Sequence, residues 1–165
     1  MRQSIVTALN KQKVPNTLNI IATQYASSDI VCLQEVSAAF IGEANKNSVI
    51  AANFHVIPPA ELDGKRDQNS VILLSKAKFP NSHTAEITHE VEANFPPGVD
   101  VPIAKGDILA VTATAASGEK YVVASFHGDT NGLATIPVLR AMDKTLRESA
   151  ALTGHKLIFG LDANT

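Results

Sequence analysis

Three apolar stretches of this 165-residue chain run into polar groups capable of chemistry. The first ends in Gln34-Glu35, the second in His127-Gly128-Asp129-Thr130-Asn131, and the third in Asp162-Ala163-Asn164. Glu35, Asp162 and Asn164 form an oxygen-rich set. Such a set suits a hard cation such as Mg²⁺, which keeps several waters and uses few protein carboxylates. A histidine beside it suits phosphate chemistry, because it can donate to a phosphoryl oxygen or protonate a leaving group. Each group also has a plain structural reading. Glu35 could cap a neighbouring helix, His127 could be a structural histidine, and Asp-x-Asn is a common turn. Asp129 and Asn131 could lie near a substrate or cap the long helix that follows. It is the convergence of three strand ends that favours a site, because α/β folds hold ligands in crevices at strand ends.

The elements that must position these groups are legible from periodicity. Residues 29–35 and 70–75, and the apolar run that opens the last ten residues, Lys156 to Thr165, read as buried strands. Residues 107–115 and 119–126 read as a hairpin turned at Ala116-Ser117-Gly118. In the second of these, Tyr121, Val123 and Ser125 share the face of His127 by the two-residue period of a strand. Asp162 and Asn164 share a face in the same way, and Gly160 leaves room for close approach to the backbone. Residues 54–57 read as a further strand and 84–91 as an edge strand, while 94–102 read as a loop. A helix over about residues 4–10 is expected to end before Pro15, with Asn16 capping a second helix that carries Leu18, Ile21, Ala22 and Tyr25. Ser37 is placed to cap a short helix reaching about Lys46. The longest helix spans about residues 136–152, with Val138, Leu139, Met142, Leu146 and Ala150 on its apolar face. Strands alternating with helices, plus one hairpin, indicate an α/β layered fold with a mixed sheet.

Composition narrows the classes. The chain is 45% hydrophobic and 18% charged, which is ordinary for a globular domain. Its length suits one domain with a substantial core. The net charge of −2 gives no broad electrostatic footprint for nucleic acid. The single cysteine, Cys32, excludes an intrachain disulfide and reads as a buried thiol. No apolar run approaches the roughly 20 residues of a membrane span. The sequence stops one residue after Asn164, so the expectation is a domain cut short at its C-terminal end, with truncation at its N-terminal end left open.

The motifs together resemble a known family. Asp29-Ile-Val-Cys-Leu-Gln-Glu35-Val36 resembles the first acidic motif of the endonuclease/exonuclease/phosphatase superfamily, whose fold is that of deoxyribonuclease I. Asn69-Ser-Val-Ile-Leu-Leu-Ser-Lys76 is similar to the strand that follows it, Val122-Val-Ala-Ser-Phe-His127 to the histidine strand, and Leu157-Ile-Phe-Gly-Leu-Asp162-Ala-Asn164 to the strand carrying the family's late asparagine. Order and spacing agree across nearly the whole chain. The resemblance implies part of a four-layer α/β sandwich and Mg²⁺- or Mn²⁺-dependent hydrolysis of a phosphodiester or phosphomonoester. It implies that Glu35 binds metal and that Asp162 and Asn164 orient the attacking water and bind the phosphate region. It further implies that His127 hydrogen-bonds phosphate or assists the leaving group; Asn69 is assigned to the substrate side, and so are Asp129 and Asn131 if they are a subfamily feature and not a cap for the long helix. The substrate could be nucleic acid, lipid or small molecule, because fold does not choose among them.

The chain departs from the family pattern in three ways, one being that His127-Gly-Asp129-Thr-Asn131-Gly132 is richer in polar residues than the common form of that strand end. The family's early metal-site asparagine would correspond to Asn10, whose surroundings read better as helix. The late Ser-Asp-His motif is absent, so the resemblance implies that the C-terminal half of the same domain is missing as a partner and that these residues alone are inactive. The competing reading is a non-catalytic binding or scaffold member of the same fold.

Overall fold

The computed structural model describes residues 2–81 and 84–164, with side chains described from residue 12 onward. Two sheets face each other, with helices on both outer faces. The first sheet holds β1 (Ile30–Val36), β2 (Phe54–Ile57) and β3 (Asn69–Ser75) in the order β1-β3-β2, all antiparallel. The second holds β4 (Ala85–Glu86), β5 (Ile108–Thr114), β6 (Lys120–His127) and β7 (Lys156–Asp162) in that order. It is mixed, because β6 and β7 run parallel while the other pairs are antiparallel. Among the described residues, no helix is long and apolar enough to cross a membrane.

The layers follow from the period-two pattern of the strands. On β3, Val71 and Leu73 face outward to a core shared with Leu18, Phe40 and Ile50 from the helices α1 (Arg2–Gln24), α2 (Ala38–Lys46) and α3 (Ser48–Asn53). Ile72 and Leu74 face inward, onto Leu109 and Val111 of β5 and Val123 of β6. The opposite face of the second sheet packs Ala110, Val122 and Ala124 against α4 (Thr88–Glu92) and α5 (Thr135–Glu148) through Val91, Ala141 and Met142. This is a four-layer α/β/β/α arrangement. Between the two sheets, along the edge formed by β1 and β7, Gly160 of β7 lies against Cys32 of β1, where an added Cβ would sit 2.5 Å from the Cys32 Cβ. Burial there raises the Cys32 thiol pKa, partly countered by a backbone hydrogen bond involving Gly160.

Four local expectations need correction. Pro15 lies inside α1 instead of ending it. Val14, Leu18 and Ile21, spaced as one helical stripe across the proline, all pack on the same core, and that packing outweighs the lost backbone donor. The helix therefore contains Asn10, whose side chain lies outside the described residues. Residues 84–91 form only the two-residue β4 before turning into α4, because Ile87 and Val91, four apart, both reach the core beneath α5. Ser37 stands at the cap position of α2 without a side-chain bond; Asp67 Oδ1 instead accepts the Ala38 N–H at 2.6 Å. In α5 the buried stripe is Val138, Ala141, Met142 and Thr145, while Leu139 is exposed and the helix stops at Glu148, before a short 3₁₀ turn over Ala150–Leu152.

Candidate active site

The C-terminal ends of β1, β6 and β7 meet at one end of the sandwich. In the parallel pair, His127 is in register with Asp162. Across the gap between the sheets, His127 Nε2 lies 3.5 Å from Glu35 Oε1. Alternation from Leu33, which packs on the helical side, would leave Glu35 on that side too. A bulge re-aims it: the pairing with β3 slips between Leu33 and Val36, and Glu35 adopts φ 54. Its other oxygen and its carbonyl are met by Lys13 Nζ of α1, at 3.4 and 3.1 Å. Gln34, the residue before, ties the two sheets together by donating to Ser125 Oγ at 3.0 Å.

The chain around Asp162 is stitched to the turn after His127. Gly128 N–H donates to the Asp162 carbonyl and Asn164 Nδ2 donates to the Gly128 carbonyl, each at 2.7 Å. A side chain at Gly128 would meet the Ala163 carbonyl at 2.8 Å, so this approach needs glycine. Thr135 at the start of α5 donates to the same Ala163 carbonyl at 2.8 Å. Asn164 holds φ 50, a backbone strain compensated by its amide bond. Asp162 is exposed, and among the described residues its Oδ1 accepts a long bond from Asn164 N–H, at 3.3 Å.

Glu35, His127, Asp129, Asp162 and Asn164 thus line one cleft of about 490 Å³. The remaining predicted residues fare differently. Asn69 does not line the cleft, which corrects its assignment to substrate: it is 1% exposed, accepts from Asp63 N–H at 2.8 Å and donates to the Val36 carbonyl at 3.2 Å. It fixes the end of the β1 bulge from behind. Asn131 is exposed and also lies off the cleft wall. Asp129 reaches the wall, but its carboxylate accepts the N–H groups of Asn131 and Ala134 at 3.0 and 2.7 Å, as a cap leading into α5.

Sequence reasoning missed three cleft residues: Arg66, Gln68 and Asp107. Arg66 Nη2 donates to Asp107 Oδ1 at 2.9 Å and to Gln68 Oε1 at 3.1 Å. The hydrogen bond to Asp107 raises the guanidinium pKa further. The available signal was local: Asp63 stands three residues before Arg66, and its carboxylate accepts the loop N–H groups of Lys65 and Arg66.

Comparison with solved structures gives the same architecture. The chain aligns with ANGEL2, described as a 2′,3′-cyclic phosphatase, at TM-score 0.64 and 16% identity, over 92% of this chain and 43% of that one. It aligns with an endonuclease/exonuclease/phosphatase family protein from Bacteroides thetaiotaomicron at TM-score 0.62 and 18% identity, over 93% of this chain and 55% of that one. The chain has the endonuclease/exonuclease/phosphatase fold. A conserved protein from Enterococcus faecalis of unknown function shares it at TM-score 0.58 and 16% identity, over 92% of this chain and 58% of that one. The chain spans about half the length of these structures. Comparison with protein-family models and with curated proteins finds no match.

The donor chemistry of the cleft bears on its fit to a divalent metal. Among the described residues, no three His, Cys, Asp or Glu side chains stand close enough to enclose an ion. That rules against an all-protein cage built from those residues. Glu35 and Asp162 with the Asn164 amide oxygen are hard donors on one cleft, which fits a largely hydrated Mg²⁺ or Mn²⁺.

Proposed function

We propose that this cleft is the site of a Mg²⁺- or Mn²⁺-dependent phosphoesterase that hydrolyses a phosphodiester or phosphomonoester by attack of water. The observation that carries the proposal is the meeting of Glu35 and His127 across the sheets at 3.5 Å, with Asp162 in register beside His127. A solved structure of ANGEL2, which aligns with this chain at TM-score 0.60, is a complex with adenosine-2′,3′-vanadate, and its name supports a phosphate-ester substrate here too.

Glu35 is the residue that would hold the metal, with its carboxylate turned into the cleft by the bulge. The bound ion would supply charge neutralisation and a more acidic water. Asp162, exposed and lightly bonded, takes the proton of the attacking water and aims its lone pair. His127, with a side chain 15% exposed, presents Nε2 to the cleft and donates to a phosphoryl or leaving oxygen. Asn164 keeps its amide nitrogen on Gly128 and so leaves its carbonyl oxygen for the water or metal. Lys13 neutralises Glu35 until a metal arrives. β1 and β7 are both edge strands, stacked through Cys32 and Gly160, and they leave one side of the sandwich open beside the cleft. We assign that side to a further part of the same domain, which full activity needs.

The test is hydrolysis of bis(p-nitrophenyl) phosphate with Mg²⁺ and with chelator, by these 165 residues and by any longer form of the chain. Little turnover by the 165 residues and chelator-sensitive turnover by the longer form are expected, with His127→Ala lowering kcat by about 10²–10⁴-fold. Near-normal kcat in His127→Ala would return His127 to a structural role. Retained phosphate binding with no turnover in any form would favour a non-catalytic binding member of the fold.

A further inference from the structure

Arg66 has no part in the hydrolysis proposed above, yet among the described residues it is the one lysine or arginine on the cleft wall. It stands there among Glu35, Asp107, Asp129 and Asp162. Two of those carboxylates are already engaged: Asp129 by backbone N–H groups, and Asp107 by Arg66 on one oxygen and by Ala104 N–H at 2.7 Å on the other. The exposed carboxylate of Asp162 would repel an incoming phosphate, and the Lys13 ammonium is already directed at Glu35. A phosphate ester entering this cleft therefore needs an opposing fixed charge.

The loop holds Arg66 in a defined pose. Asp63 accepts the N–H groups of Lys65 and Arg66 at 2.8 and 3.1 Å, and Asp67, at φ 52, ties the loop to the start of α2. The guanidinium is braced on one edge only. Nη2 bonds Asp107 and Gln68, and Nε stands 4.0 Å from Asp63 Oδ2, while Nη1 makes no hydrogen bond among the described residues. The brace is buried and the guanidinium is not: the Asp107 side chain is 9% exposed and that of Arg66 is 36% exposed. A planar fork braced along one edge, on a side chain that lines the cleft, is a receptor for a phosphate oxygen. The Asp107 backbone carbonyl also accepts the His127 N–H at 2.9 Å, so one residue fixes both Arg66 and His127.

We infer that Arg66 is the anion-binding residue of the cleft and that its free edge holds a non-bridging oxygen of the substrate phosphate. The inference rests on the phosphoesterase reading and deepens it by assigning the group that recognises the phosphate charge.

The experiment is a ¹⁵N NMR titration of the 165-residue protein at low salt, without metal, using inorganic phosphate and adenosine monophosphate as probes. Shifts should centre on His127, Gly128 and Asp129. Arg66→Gln should weaken binding about tenfold or more, the scale of a lost charge-assisted bond. Arg66→Lys, which keeps the charge, should bind with intermediate affinity and stands in if Arg66→Gln fails to fold. Arg147→Gln, on the exposed side of α5, should bind like wild type. Unchanged affinity in a folded Arg66→Gln or Arg66→Lys protein would overturn the role of Arg66 and leave the phosphoesterase reading standing. Absence of cleft shifts with both probes in the wild-type protein would also overturn the role of Arg66, while the phosphoesterase reading answers separately to the chelator-controlled hydrolysis assay.

Discussion

β3 and β7 are each seven residues long and each built on an apolar run, Val71-Ile72-Leu73-Leu74 in one and Leu157-Ile158-Phe159 in the other. β3 lies between β1 and β2, and its first six residues are buried. β7 is the edge of its sheet, with Leu157, Ile158 and Leu161 each about 40% exposed. The difference shows that an apolar run specifies a strand, while its place in the sheet decides how much of it is buried. The two strands also meet the cleft differently. Behind the entry to β3, Asn69 fixes the Glu35 bulge from inside the core. The exit of β7 carries Asp162 and Asn164 to the surface, where bonds to Gly128, and from Thr135 to the intervening Ala163, hold the chain.

The sharpest way to break this comparison is a pair of matched truncations read by chemical denaturation. Leu73→Ala, at a fully buried position, should cost about 2–5 kcal/mol. Leu157→Ala should cost less than about 1 kcal/mol, because much of that side chain already meets water. Equal losses would mean that β7 is covered and that the contrast is wrong.

A second substitution sharpens the comparison by separating the two faces of β7. Gly160→Ala places a methyl 2.5 Å from Cys32 Cβ and should destabilise by about 1–3 kcal/mol despite lying on the edge strand. The double variant with Cys32→Ala should still carry most of that cost, because the clashing atom is the Cβ that alanine retains; Cys32→Gly should relieve it. Full rescue by Cys32→Ala would place the contact at Sγ, which lies 2.9 Å from the added atom.

A smaller effect tests how the loop before β3 is anchored. The N–H groups of Lys65 and Arg66 hold the Asp63 carboxyl below its ordinary range. A depressed folded-state pKa contributes stability above the unfolded-state value, and that contribution is lost as pH falls through the folded-state pKa. Thermal melts should therefore show wild type losing stability below about pH 4 more steeply than Asp63→Asn, which keeps an acceptor but no charge. Parallel curves for the two proteins would remove Asp63 as the charged anchor.

Much of this architecture was legible because short apolar runs between turn residues mark β1, β3, β5, β6 and β7, and the period-two faces of β3 and β6 follow directly. The strand ends carrying Glu35, His127 and Asp162 were visible for the same reason. Other features were hidden by tertiary effects. Pro15 read as a break because the chain alone does not show the core that Val14, Leu18 and Ile21 share. The positive φ of Glu35 has no signature in residue type, so the bulge that turns it toward His127 could not be foreseen. Asn69 looked like a binding residue because nothing local reveals that Asp63 and Val36 occupy its amide. Arg66 looked like one more charge in a polar loop until Asp107, 41 residues later, came to lie against it.

The central claim is that the strand ends of β1, β6 and β7 form one metal-binding phosphoester site. Its most direct test is Mn²⁺ titration of ¹⁵N-labelled protein, read as paramagnetic line broadening across the backbone. The account predicts broadening centred on Glu35, His127 and Asp162, and a several-fold higher Mn²⁺ requirement in Glu35→Gln, which removes a carboxylate charge from the ion. Broadening centred on the acidic groups near Glu61 and Glu86 instead, or a Glu35→Gln protein that titrates like wild type, would contradict it.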